Sequence, residues 1–101
     1  MKLLIVTVVE QFHREIIRLF KRAKIENFSS SEIDGYKSSA NLLGDSSWFP
    51  GEKSGTESKL IFSFTDDDKI AVLFKLIETF NQNLETNNPI KAVVVPIEKH
   101  I

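Results

Sequence analysis

Residues 36–59 read YKSSANLLGDSSWFPGEKSGTESK. The stretch is rich in Ser and Gly and keeps no sustained period of 2 or 3.6, yet it carries Trp48 and Phe49 side by side. On both sides of it the chain alternates between strand-like and helix-like patterns. A structureless loop of this length is uncommon inside a compact domain, and where one occurs it is functional or disordered. It therefore cuts the chain into two regular halves and is itself the first candidate for the part that contacts something else.

The half before the loop opens with residues 2–9, KLLIVTVV, β-branched and apolar, which read as a strand. Leu3, Ile5 and Val9 fall on one face, Leu4, Val6 and Val8 on the other. A strand that is apolar on both faces is a central strand with something to cover each side. From Gln11 the period changes. Phe12, Ile16, Leu19, Phe20 and Ala23 form one helical stripe. Arg14, Arg18, Lys21, Arg22 and Lys24 lie largely off it, as a solvated face whose charge gathers at the C-terminal end of the helix dipole. Residues 25–36, IENFSSSEIDGY, are polar in the middle and suit an edge strand. Gly35 gives the chain freedom where the loop departs.

The half after the loop repeats the plan. In residues 59–65, KLIFSFT, Leu60, Phe62 and Phe64 share one face while Ile61 and Ser63 share the other. Thr65 or Asp66 is the expected N-cap of a second helix, and the acidic run Asp66–Asp68 suits its positive end. Ile70, Leu73, Phe74, Ile77, Phe80 and Leu84 are its apolar stripe. Asn81, Asn83, Asn87, Asn88 and Pro89 end it, and residues 90–98, IKAVVVPIE, are the last strand.

The order is strand, helix, strand, long loop, strand, helix, strand. This is a single α+β domain over residues 1–101 with the ferredoxin-like βαββαβ plan: a four-stranded antiparallel sheet, two helices on one face, and the long loop between strands 2 and 3. Such a fold leaves one sheet face bare although its central strand is apolar on both sides. An exposed apolar patch of that kind marks an interface. Either a second copy of the chain covers it in a closed oligomer, or Leu42, Leu43, Trp48 and Phe49 fold back over it.

Bulk properties narrow the function. A net charge of −1 gives no basic patch for nucleic acid. The chain has no cysteine, hence no disulfide or thiolate chemistry. No apolar run approaches the length of a membrane span, and no small-residue cleavage site follows the apolar N-terminus, so the expected location is the cytoplasm, without membrane insertion. No serine is paired by its spacing with His13 or His100, and no carboxylate dyad is visible, so an enzyme is not expected.

Three stretches resemble the P-II signalling family. Residues 25–36, ending SSSEIDGY, are similar to the strand that leads out to that family's T-loop. Residues 59–67, KLIFSFTDD, are similar to the strand that re-enters the sheet and starts the second helix. Residues 89–94, PIKAVV, align with the segment after the family's B-loop. The resemblance implies a homotrimer with the sheets lining its centre, a ligand in clefts between subunits at the base of the loop, and a partner gripped or released by the loop, a membrane transporter or another regulated protein. It makes Lys91 the lysine that meets phosphate. It also shows departures. Residues 84–91, LETNNPIK, hold no glycine where the family's phosphate loop is glycine-rich, and Ile61 stands where the family reads adenine with a glutamate. The effector classes that remain are an adenine nucleotide, bicarbonate or a divalent metal.

The expected ligand site is Gly35, Tyr36, Lys37, Lys59 and Lys91, with the Tyr36, Lys37, Lys59 and Lys91 side chains forming an anion cleft across a subunit boundary. Trp48 and Phe49, turned outward by Pro50-Gly51, either anchor a partner or pack within the chain. His13 and His100 with Glu10 or Glu98 are the only metal-ligand pattern. The functional expectation is a small trimeric P-II-like signal-transduction protein. The alternative is a ferredoxin-like small-molecule-binding protein or enzyme with the loop as a lid.

Overall fold

The computed structural model describes residues 1–36, 56–85 and 87–101. Four strands, β1 (Lys2–Val9), β2 (Ser29–Gly35), β3 (Thr56–Thr65) and β4 (Lys91–Pro96), form one sheet in the order β2-β3-β1-β4. Every neighbouring pair is antiparallel. A short 3-10 turn (Glu10–Phe12) leads into helix α1 (His13–Arg22) between β1 and β2, and helix α2 (Asp67–Gln82) joins β3 to β4. This is the expected ferredoxin-like arrangement, with β1 in the interior and β2 and β4 at the edges.

Register assigns the faces. Leu4 lies opposite Ser63 and Val94, Val6 opposite Ile61 and Ala92, and Val8 opposite Lys59. Leu4, Val6, Val8 and Ile61 are fully buried and join the helix stripes in one core: Phe12, Ile16, Leu19, Phe20 and Ala23 of the first, Ile70, Leu73 and Ile77 of the second. The basic residues of α1 point to solvent. The rings of Phe12 and Phe80 meet edge to face at 5.5 Å and tie the start of α1 to the end of α2.

The second strand is shorter than the sequence implies, because residues 25–28 are spent on the core instead of the ladder. Helix α1 ends in a Schellman motif. Ile25 N–H donates to Phe20 O and Lys24 N–H to Lys21 O, both at 3.0 Å. Ile25 is thereby buried against Phe20, Phe28 stacks edge to face on Phe20 at 4.8 Å, and the buried Ser63 hydroxyl donates to Asn27 O at 2.6 Å. The third strand is longer than expected. Pairing continues outward through Ser58, Glu57 and Thr56, opposite Ile33, Asp34 and Gly35, although their small and polar character reads as loop. Tyr36 lies just beyond β2 and is 62% exposed.

Two smaller expectations also change. Asp66 occupies the N-cap position of α2, but its side chain makes no capping bond. The acidic turn is used otherwise: Asp67 pairs with Lys2 at 3.1 Å, and Asp68 Oδ1 accepts from Lys69 N–H at 3.0 Å. Asn81 lies inside α2, not in the turn after it, and reaches across to Ile90.

Lys24, at the left-handed position of the Schellman motif, has φ 63°, a conformation that costs a residue with a Cβ roughly 1–2 kcal/mol. Glycine there relieves most of that and loses part of the gain to unfolded-state entropy. Lys24→Gly is therefore expected to raise the urea unfolding free energy by about 0.5–1 kcal/mol. An unchanged or lowered value would contradict this account of the helix end.

Candidate functional site

The face of the sheet away from the helices carries Leu3, Ile5, Thr7 and Val9 of β1, Ser58, Leu60, Phe62 and Phe64 of β3, and Lys91, Val93 and Val95 of β4. The sequence puts them there because each strand alternates apolar residues on both sides of its pleat. Among the described residues no helix lies on this face. Phe62 is 36% exposed, Phe64 57%, and Val93 and Val95 37% each. The two rings stand edge to face at 6.2 Å. Through Leu3 and Ile5 the patch is continuous from β3 to β4.

The opposite end of the same face differs. Thr7, Val9 and Ser58 are buried, and the Thr7 hydroxyl has no hydrogen-bond partner among the described residues. Thr7 lies directly opposite Lys91. Lys91 is half-buried and has no ion-pair partner among the described residues. An unpaired ammonium beside a buried, unsatisfied hydroxyl makes this end polar, whereas the Phe62–Phe64 end is apolar.

Lys59 behaves differently. It lies opposite Val8, so it projects from the helix-bearing face. Its side chain is only 15% exposed and spans two carboxylates, Glu32 of the edge strand at 3.3 Å and Glu10 of the 3-10 turn at 3.7 Å. These bonds fasten three elements at the foot of the loop. Around them runs a cleft of about 500 Å³ lined by Glu10, Glu32, Ile33, Asp34, Glu57 and Ser58. Asp34 and Glu57 face each other directly across the ladder, an arrangement of like charges that weakens a strand pair.

Of the expected ligand residues, Gly35 ends β2, buried, opposite Thr56, and Tyr36 follows it into solvent. Within one chain Lys59 and Lys91 stand on opposite faces of the sheet, so the fold does not bring them together; a common cleft would have to draw one of them from another copy. Lys37 and the aromatic pair Trp48 and Phe49 lie outside the described residues, as do Leu42 and Leu43. His13 opens α1 with its Nδ1 buried and unpartnered, and Glu15 Oε1 is in the same condition; His100 is exposed in the C-terminal segment. Among the described residues no group of three or more His, Cys, Asp or Glu side chains is arranged to hold a metal ion.

Sequence reasoning missed the acidic cleft, Thr7 and Asn81. The first two need the cross-strand register, which sets Asp34 against Glu57 and Thr7 against Lys91. Asn81 reads as a helix terminator because Asn is a poor helix former. No protein-family model matches the chain, and no curated protein matches its sequence.

Removing the Lys59 ammonium leaves Glu10, Glu32, Asp34 and Glu57 at the foot of the loop with no cation among the described residues that line it. Lys59→Met is expected to lower stability by about 1 kcal/mol at low ionic strength. The deficit should shrink in about 1 M NaCl, where the Debye length falls to about 3 Å. An equal loss at both salt concentrations would mean that the lysine acts through the packing of its stem.

Proposed function

We propose that the chain is a P-II-like regulatory subunit. Three copies pack through their open sheet faces. A small effector binds in the clefts between them near Lys91, and the segment beginning at Tyr36 couples that occupancy to a partner protein, a membrane transporter in the simplest case. The observation that carries this reading is the open apolar face: Leu3, Ile5, Phe62, Phe64, Val93 and Val95 form one continuous surface, and the described helices cover only the other side. Apolar area of this kind is stabilised by burial at roughly 25 cal/mol per Å², and a closed symmetric oligomer is the commonest way to bury it.

Two features refine the effector. Ile61, at the position where the P-II resemblance calls for an adenine-reading glutamate, is fully buried beneath the helices. Residues 84–91 have no glycine with which to cradle phosphates. Both favour an effector recognised by charge, a small oxyanion such as phosphate or bicarbonate, over an adenine nucleotide. The regulatory step is a change in the order of the loop, the kind of transition by which a local charge event is read out by a partner. Among the described residues no helix is long and apolar enough to cross a membrane; in this reading the transporter is a separate chain that this one docks onto.

Native mass spectrometry at micromolar concentration is expected to give a trimer. Phe64→Glu, which places a charge in the centre of the packed faces, is expected to yield a folded monomer with wild-type helix content. A wild-type protein that is monomeric at that concentration would overturn the reading, and so would a Phe64→Glu variant that remains trimeric.

A further inference from the structure

Asn81 sits one residue before the end of α2. Its side-chain Nδ2 donates to Ile90 O at 3.0 Å, and its Oδ1 accepts from Ile90 N–H at 3.0 Å. Both halves of the amide are thus engaged by one residue's backbone, which fixes the amide's orientation from its partners. The pair of bonds copies what a neighbouring strand offers an antiparallel partner. Ile90 itself is 3% exposed, so its backbone groups would be costly to leave unpaired.

The next residue is Lys91, where β4 begins and the ladder to β1 takes over, opposite Thr7. The start of the strand therefore has two anchors, the Asn81 amide at Ile90 and the β1 ladder from Lys91 onward. Residues 84–91 contain no glycine, and among the described residues of that segment none has a positive φ. The backbone there forms no concave nest of N–H groups of the sort that holds an anion by itself.

We infer that Asn81 is a positioning residue. Its amide holds Ile90 as an adjoining strand would, and so sets the Lys91 ammonium on the open sheet face beside Thr7, where it meets a small oxyanion. This rests on the proposal above that Lys91 faces the effector. Asn is the side chain that fits: Asp lacks the donor for Ile90 O, Leu lacks both polar groups, and Gln carries them one methylene too far.

The test is a titration of the full chain with inorganic phosphate and with bicarbonate, followed by isothermal calorimetry and by backbone amide shifts, which read binding in every background. Asn81→Leu is expected to weaken binding about tenfold, and Asn81→Gln is expected to lose less than Asn81→Leu. In a Lys91→Ala background, Asn81→Leu should have no further effect on affinity, although its effect on stability persists. A purely structural residue would weaken binding by the same factor in both backgrounds, and that result overturns the inference, as does undiminished binding by Asn81→Leu. If Asn81→Leu does not fold, Asn81→Gln carries the same comparison in both backgrounds. A wild-type protein that binds neither anion overturns the effector reading and this inference together; one that binds but is indifferent to Asn81 overturns the inference alone.

Discussion

Strand β1 is apolar on both faces, and the described helices cover only one of them. Everything else follows from that mismatch. Leu4, Val6 and Val8 draw α1 and α2 onto one side and build the core. Leu3 and Ile5, with Phe62 and Phe64 on β3 and Val93 and Val95 on β4, are left on the other side. A sheet with one wet face would alternate apolar and polar residues along each strand. β1 and β4 do not, and β3 turns Leu60, Phe62 and Phe64 to the side away from the described helices, so the open face is built to be covered. The edges are treated differently: β2 is polar, which discourages pairing with a foreign strand, whereas β4 keeps its valines next to the open face.

Two different polar constructions sit at the loop end of the sheet. At the foot of the long loop, Lys59 holds Glu10 and Glu32 on the helix-bearing side, while Asp34 and Glu57 oppose each other two residue pairs further out. The like-charged pair weakens the β2–β3 ribbon next to its last pair, Gly35 opposite Thr56, after which the loop departs. At the start of β4, by contrast, Asn81 fixes Ile90 with two bonds. Both constructions lie at the same end of the sheet, because Lys91 opposite Thr7 is one residue pair from Lys59 opposite Val8: on the β2–β3 side like charges oppose each other, and on the β4 side the strand start is pinned.

Much of the fold was legible in the sequence because periodicity reports faces directly. The apolar run KLLIVTVV, the alternation in KLIFSFT, and the stripes from Phe12 to Ala23 and from Ile70 to Leu84 gave the element order and the identity of both sheet faces. What stayed hidden depends on long-range geometry. Residues 25–28 read as strand but are consumed by the Schellman motif and by Asn27 and Phe28 packing onto the core. Residues 56–58 read as loop but pair with 33–35. Lys59 and Lys91 read as one cationic site, but odd and even positions on their strands send them to opposite faces, which only the register with β1 reveals. Asn81 read as a terminator because local propensity does not foresee a partner nine residues on.

The account stands or falls on the open face being an interface in solution. Hydroxyl-radical footprinting across a dilution series measures this directly at Phe62 and Phe64. Both rings should be protected at concentrations where the oligomer forms and become reactive together on dilution, while Phe20 stays protected throughout. Full reactivity of Phe62 and Phe64 at every concentration would contradict the account, because the face would then be uncovered in the working protein.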